Sequence, residues 1–184
     1  MRPTCLGSDV QLIVVTDIHG APDDALCLGA GLSGVARLSL AELCGQRHLS
    51  GEALHHHLFQ ESGMARAVRK LCNVMADRSP LIGLGYSAGG TALWKAVQAG
   101  VPLTGLICVS STRLRNETAL SIPTQVYFGD DDPGRPSKDW LSTVPTTATL
   151  LPSAAHAFYA EADHPARAQV AAEISATIAR WTAV

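Results

Sequence analysis

Short apolar runs rich in β-branched residues alternate along this chain with longer stretches whose apolar positions recur at helical spacing. The runs at residues 11–16, 36–40, 81–85, 106–109, 125–128 and 148–151 have strand length and predict strands. Residues 22–31, 63–76, 88–99 and 165–181 carry the longer period and predict helices. In the last of these, Val170, Ile174, Ile178 and Trp181 follow one another at spacings of four, four and three, so they share a face. Asp163 suits the cap of its first turn, with Pro165 just inside. Strand alternating with helix in this way is the pattern of a mostly parallel sheet covered on both faces.

Residues 45–62 form the longest stretch without either period, and they hold His48 and the run His55-His56-His57. Adjacent side chains cannot converge on one ion, so this run predicts a solvated loop or short helix and no metal site.

The bulk numbers narrow the function classes. With 184 residues, 47% of them hydrophobic, the chain can bury one sizeable core, and one domain over residues 1–184 is expected. No repeat, low-complexity tract or linker interrupts it. Fourteen basic residues against sixteen acidic ones give a net charge of -2, with no block of either sign to follow a phosphate backbone or a lipid surface. Neither nucleic acid nor membrane is therefore an expected partner, and a homo-oligomer is left open. The segment Met1 to Gly7 lacks the apolar stretch of a signal peptide, and nowhere is there a run of roughly 18 to 20 apolar residues that could span a bilayer. The cysteines at positions 5, 27, 44, 72 and 108 are odd in number and scattered, with no CxxC pair. They read as small buried hydrophobes in a reducing cytoplasm.

Chemistry enters at Gly85-Tyr86-Ser87-Ala88-Gly89, a G-x-S-x-G match set between a predicted strand and a predicted helix. That setting gives a serine a tight turn from which its hydroxyl projects above the sheet, while the start of the helix offers free N–H groups to a developing oxyanion. The same stretch also reads Gly83-x-Gly85-x-x-Ala88, a dinucleotide-binding pattern. Such a site belongs to a first βαβ unit and needs an acidic residue at the end of the next strand; here that strand runs into Ser110-Ser111-Thr112 and no acid precedes Glu117. The nucleophile reading is preferred, and no cofactor is expected.

Serine needs a base, and the base an acceptor that fixes its tautomer. After a G-x-S-x-G elbow the order along the chain is Ser, then Asp or Glu, then His. His19, His48, His55, His56 and His57 precede Ser87, and His164 opens the last helix, so only His156, in a loop after a strand, has both order and setting. The strand ending at Phe128 runs into Gly129-Asp130-Asp131-Asp132-Pro133, where three aspartates compete as the acid.

These residues resemble the dienelactone hydrolase family of the α/β hydrolases over most of the chain. Thr16-Asp17-Ile18-His19-Gly20 resembles the family's E-I-F-G segment, which implies backbone oxyanion donors at Ile18 and Ala88. Gly129-Asp130-Asp131-Asp132-Pro133 resembles its G-x-x-D-P turn, which selects Asp132, with Asp131 next. Ser153-Ala154-Ala155-His156-Ala157-Phe158 resembles its G-x-x-H-x-F ending. The chain departs from the family in having Ser87 where the family has cysteine, and Ala160 where it has an arginine for the lactone carboxylate. The family's two N-terminal antiparallel strands have no counterpart, since the first predicted strand begins near Gln11.

The resemblance implies a minimal, lidless α/β-hydrolase fold: a three-layer α/β/α sandwich of about six parallel strands, the first strand central, the second outside it, the third to sixth on its other side. Only about fifteen residues separate Val109 from the strand at Gln125, too few for a lid. The expected activity is hydrolysis of a small carboxylic ester through an acyl-Ser87 intermediate, with a thioester, an amide, or perhydrolase or lyase chemistry behind it. The alternative from another class is a catalytically inactive binding protein that keeps the fold. With no arginine at position 160 and Arg113 and Arg115 read as surface charges, neutral esters are expected to be better substrates than anionic ones.

Overall fold

The computed structural model describes residues 11–76 and 81–182. The expectations placed on Met1 to Gly7, on Cys5 and on strands ahead of Gln11 therefore lie outside the described residues.

Six strands form one sheet: β1 (Leu12–Val15), β2 (Val35–Leu38), β3 (Leu81–Tyr86), β4 (Leu103–Val109), β5 (Thr124–Gly129) and β6 (Thr147–Leu151), in the order β2-β1-β3-β4-β5-β6. Every neighbouring pair is parallel, as the alternation of strand and helix requires. The helices are α1 (Leu40–Leu43), α2 (Gly51–Gln60), α3 (Gly63–Met75), α4 (Ala88–Gln98), α5 (Lys138–Thr143) and α6 (Ala166–Thr182). The result is the expected three-layer α/β/α sandwich.

Its two cores alternate residue by residue through the strands. Ile13 and Val15 of β1 pack with Leu71 of α3 and Leu93 and Trp94 of α4. Leu12 and Val14 face the opposite way, into a cluster with Val170, Ile174 and Ile178 of α6. Burial on both faces is why the central strands β1, β3 and β4 read as continuous apolar runs. Trp181 closes the stripe on α6 where Gly105 of β4 leaves room for its ring.

Four sequence expectations need correction. Residues 22–31 form turns, not a helix. Their backbone groups are claimed from outside: the Leu28 N–H donates to the Tyr86 hydroxyl, Arg37 donates to the Pro22 carbonyl, and Arg167 donates to that of Leu26. Within residues 45–62, α2 occupies Gly51–Gln60, with Leu54, His57 and Leu58 on its buried side. The three histidines thus go three ways: His57 into the core, His56 to solvent and His55 toward the carboxyl ends of the strands. β2 lies one to two residues earlier than its pattern, because the α1 helix starts at Leu40, whose N–H donates to the Thr16 hydroxyl. At α6 the side chain meeting the first free N–H, that of Ala166, is His164 rather than Asp163.

Candidate active site

Ser87 stands between β3 and α4 with φ 48° and ψ -119°, a conformation that costs a residue with a side chain on the order of 1–3 kcal/mol. Packing holds it there. Its N–H donates to the Val109 carbonyl, and the elbow is pressed against its surroundings through glycines. A Cβ on Gly85 would lie 2.5 Å from the Gly90 nitrogen, and one on Gly89 would lie 2.6 Å from the Val15 carbonyl oxygen. The small residues of the motif thus let the helix seat directly on β1 and β3.

The structure brings the three predicted side chains together. Ser87 Oγ is 3.0 Å from His156 Nε2, and His156 Nδ1 is 2.7 Å from Asp132 Oδ2. His156 follows β6 and Asp132 follows β5, so all three rise from the carboxyl edge of the sheet. Of the three consecutive aspartates only Asp132 is buried; Asp130 and Asp131 are exposed. The second oxygen of Asp132 accepts the Gly134 N–H at 2.8 Å. Burial opposes its charge, but the His156 and Gly134 hydrogen bonds, with the charges of His156 and Arg135, outweigh it and hold the carboxyl below its ordinary range.

Ile18 and Ala88, the predicted oxyanion donors, line the same small pocket as Ser87 and His156, about 170 Å³ in volume. Neither N–H donates to any acceptor among the described residues. The peptide unit carrying the Ile18 N–H is fixed from its other end, where the Asp17 carbonyl accepts from Gly20 N–H at 3.2 Å and from the Thr16 hydroxyl at 3.3 Å.

The rest of the lining was not legible as such. His55 and Phe59 of α2 and Thr112 and Arg113 after β4 complete the pocket. The Arg113 guanidinium lies 4.6 Å from the centre of the Phe59 ring and donates to His55 Nε2 at 3.0 Å. Partial burial and then the Arg113 charge lower the His55 pKa. Arg47 is paired with Glu42, and Arg115 donates to the Gly134 carbonyl; neither lines the pocket.

No family model matches the chain, and no curated protein matches it. Solved structures do. Est1E from Butyrivibrio proteoclasticus is 14% identical, with 99% of this chain and 92% of that one covered at a TM-score of 0.64. A dienelactone hydrolase-like promiscuous phosphotriesterase from metagenomic libraries is 15% identical, with 94% and 86% covered at 0.66. The α/β hydrolase domain-containing protein 10 from mouse is 13% identical, with 92% and 90% covered at 0.62. The chain has the α/β-hydrolase fold. Within that fold, the connection after β4 holds a single 3₁₀ turn (Thr112–Asn116), whose Thr112 and Arg113 share the pocket wall with His55 and Phe59 of α2. No helix among the described residues is long and apolar enough to cross a membrane.

Proposed function

We propose that this chain is a serine hydrolase that cleaves small carboxylic esters, with Ser87 as nucleophile, His156 as general base and then acid, and Asp132 as the carboxylate that orients His156. The observation that carries the reading is the unbroken chain Asp132–His156–Ser87 at 2.7 and 3.0 Å, in a pocket also lined by Ile18 and Ala88, whose N–H groups have no acceptor among the described residues. A binding module that had lost activity would have no need to keep that chain aligned with a strained serine. Its structural neighbours support the chemistry: Est1E is named as binding ferulic acid, and another neighbour is a phosphotriesterase of dienelactone hydrolase-like type.

The Ser87 hydroxyl oxygen adds to the ester carbonyl carbon while its proton passes to His156 Nε2. The carbonyl oxygen takes the negative charge and receives the Ile18 and Ala88 N–H groups. Collapse breaks the bond to the alcohol oxygen, which leaves with the proton from His156. Water then repeats the sequence on the acyl-serine, releasing the acid and restoring Ser87. The small pocket suits a short acyl group. With Asp132 ionised and bound at Nδ1, the imidazole keeps Nε2 facing the serine.

A fluorophosphonate probe should label the wild-type protein on the peptide containing Ser87, and Ser87→Ala should neither label nor hydrolyse short-chain aryl esters while still folding. Wild-type turnover by that variant, or no labelling and no hydrolysis by the native protein, would overturn the reading.

A further inference from the structure

Asp17 is a buried carboxylate that the mechanism above leaves without a task. It is 4% exposed and sits immediately before Ile18. Its Oδ1 accepts the N–H groups of His19 and Ala21, both at 2.7 Å, and its Oδ2 accepts the Tyr159 hydroxyl at 2.8 Å. The Asp17 N–H donates to the Ala21 carbonyl, so residues 17–21 close into a turn around their own side chain. Tyr159 lies 142 residues away in sequence, on the short 3₁₀ turn Phe158–Ala160 that follows His156. It is 1% exposed, its ring meets the His156 ring edge-on at 6.5 Å, and it packs at 5.1 Å on Tyr86, the residue before the nucleophile.

We infer that Asp17 and Tyr159 are positioning residues, a buried cross-link that sets the loop bearing the Ile18 N–H against the loop bearing His156. The inference rests on the serine-hydrolase reading of the site. A turn held only by its own backbone could rock; here one carboxylate fixes two of its amides, and the phenol fixes the carboxylate. Because the same phenol's ring touches His156 and Tyr86, the oxyanion donor, the base and the elbow are referred to one side chain. Burial first, and then the Asp17 charge and hydrogen bond, raise the phenol pKa well above its ordinary value, so Tyr159 stays a neutral donor over any working pH.

The test is Tyr159→Phe, which keeps the ring and removes the link, with Asp17→Asn as the second variant. Asn at 17 retains an acceptor for the two amides but replaces the phenol-to-carboxylate bond by a weaker one in which its NH2 donates to the phenol oxygen, so it loosens the link by a second route that leaves Tyr159 intact. Kinetics are scaled to active sites titrated with the fluorophosphonate. Each variant should lose about tenfold to a hundredfold in kcat on a short-chain aryl ester, the scale of a small misplacement of reacting groups, with KM within about twofold. A boronic acid, whose tetrahedral adduct places an oxygen where the oxyanion forms, should weaken in parallel with kcat. The double variant should lose no more than the worse single one, since the pair acts as one unit. If folded Tyr159→Phe and Asp17→Asn both keep kcat and boronate affinity, or if their losses simply multiply, the cross-link is overturned. Failure of the serine-hydrolase reading would look different: the wild-type protein itself would not be labelled at Ser87.

Discussion

At the residue scale the proposed acid is the position where pattern and geometry each decide something different. Three aspartates in a row are equivalent by pattern, and the resemblance selected Asp132 by its place before proline; burial now separates them physically. Asp132 has both oxygens engaged, one by His156 and one by the Gly134 N–H, whereas Asp130 and Asp131 are exposed. Asp131 belongs to the turn through its backbone, its N–H donating to the Ala154 carbonyl. Asp132→Asn should therefore cost roughly 10³ to 10⁴ in kcat by presenting His156 with an amide in place of a carboxylate. Asp130→Asn and Asp131→Asn should stay within about threefold of wild type, the small effect of changing a solvated charge. Equal losses at Asp131 and Asp132, measured side by side on one ester, would mean that the buried carboxylate does not orient the base. Ser87 and His156 could be read from the chain because motif and order constrain them. Tyr159 could not, since nothing near it in sequence reveals that its hydroxyl reaches Asp17.

At the element scale, legibility followed burial. The central strands, enclosed on both faces, announce themselves as apolar runs, and the half-exposed edge strands β2 and β6 were visible too, all six to within a few residues. α2 was hidden because three histidines fill positions 55–57, yet one of them, His57, is a core residue whose Nδ1 lies 2.5 Å from Glu61 one turn on. The spacing of Leu54 and Leu58 was the available signal. Residues 22–31 misled in the opposite sense: their apolar positions have helical spacing, but side chains from β2, β3 and α6 take their backbone groups, and tertiary hydrogen bonds override local propensity. The elbow gives this scale its prediction. Gly89 of α4 faces main-chain carbonyls of β1, which cannot turn aside as a side chain could. Gly89→Ala should lower stability by about 1–3 kcal/mol through overpacking, despite alanine's better helix propensity. Urea unfolding decides it. A stability equal to or above that of wild type would show that α4 can shift off the sheet without cost.

At the scale of the whole molecule the pocket is a meeting of segments far apart in the chain: the turn after β1, α2, the elbow, the start of the turn after β4 and the loop after β6. The neutral-ester expectation took Arg113 as a solvated surface charge; its side chain is exposed, but it also lines the pocket, which that expectation did not allow for. Among the described residues no carboxylate pairs with Arg113; its partners are the face of Phe59 and His55 Nε2, which orient the guanidinium without neutralising it. A carboxylate on the substrate would meet that charge beside a low-dielectric wall, and the planar fork can still donate to it. Comparing kcat/KM for a neutral aryl ester and its carboxylated analogue should therefore favour the anion by about tenfold, some 1.4 kcal/mol of transition-state binding. Arg113→Gln should erase that preference while leaving the neutral ester within about twofold, and added salt should weaken it in the wild type. An undiminished preference in Arg113→Gln would place the anion elsewhere in the pocket, and a preference for the neutral ester in the wild type would mean that Arg113 serves only to brace α2 against the turn after β4.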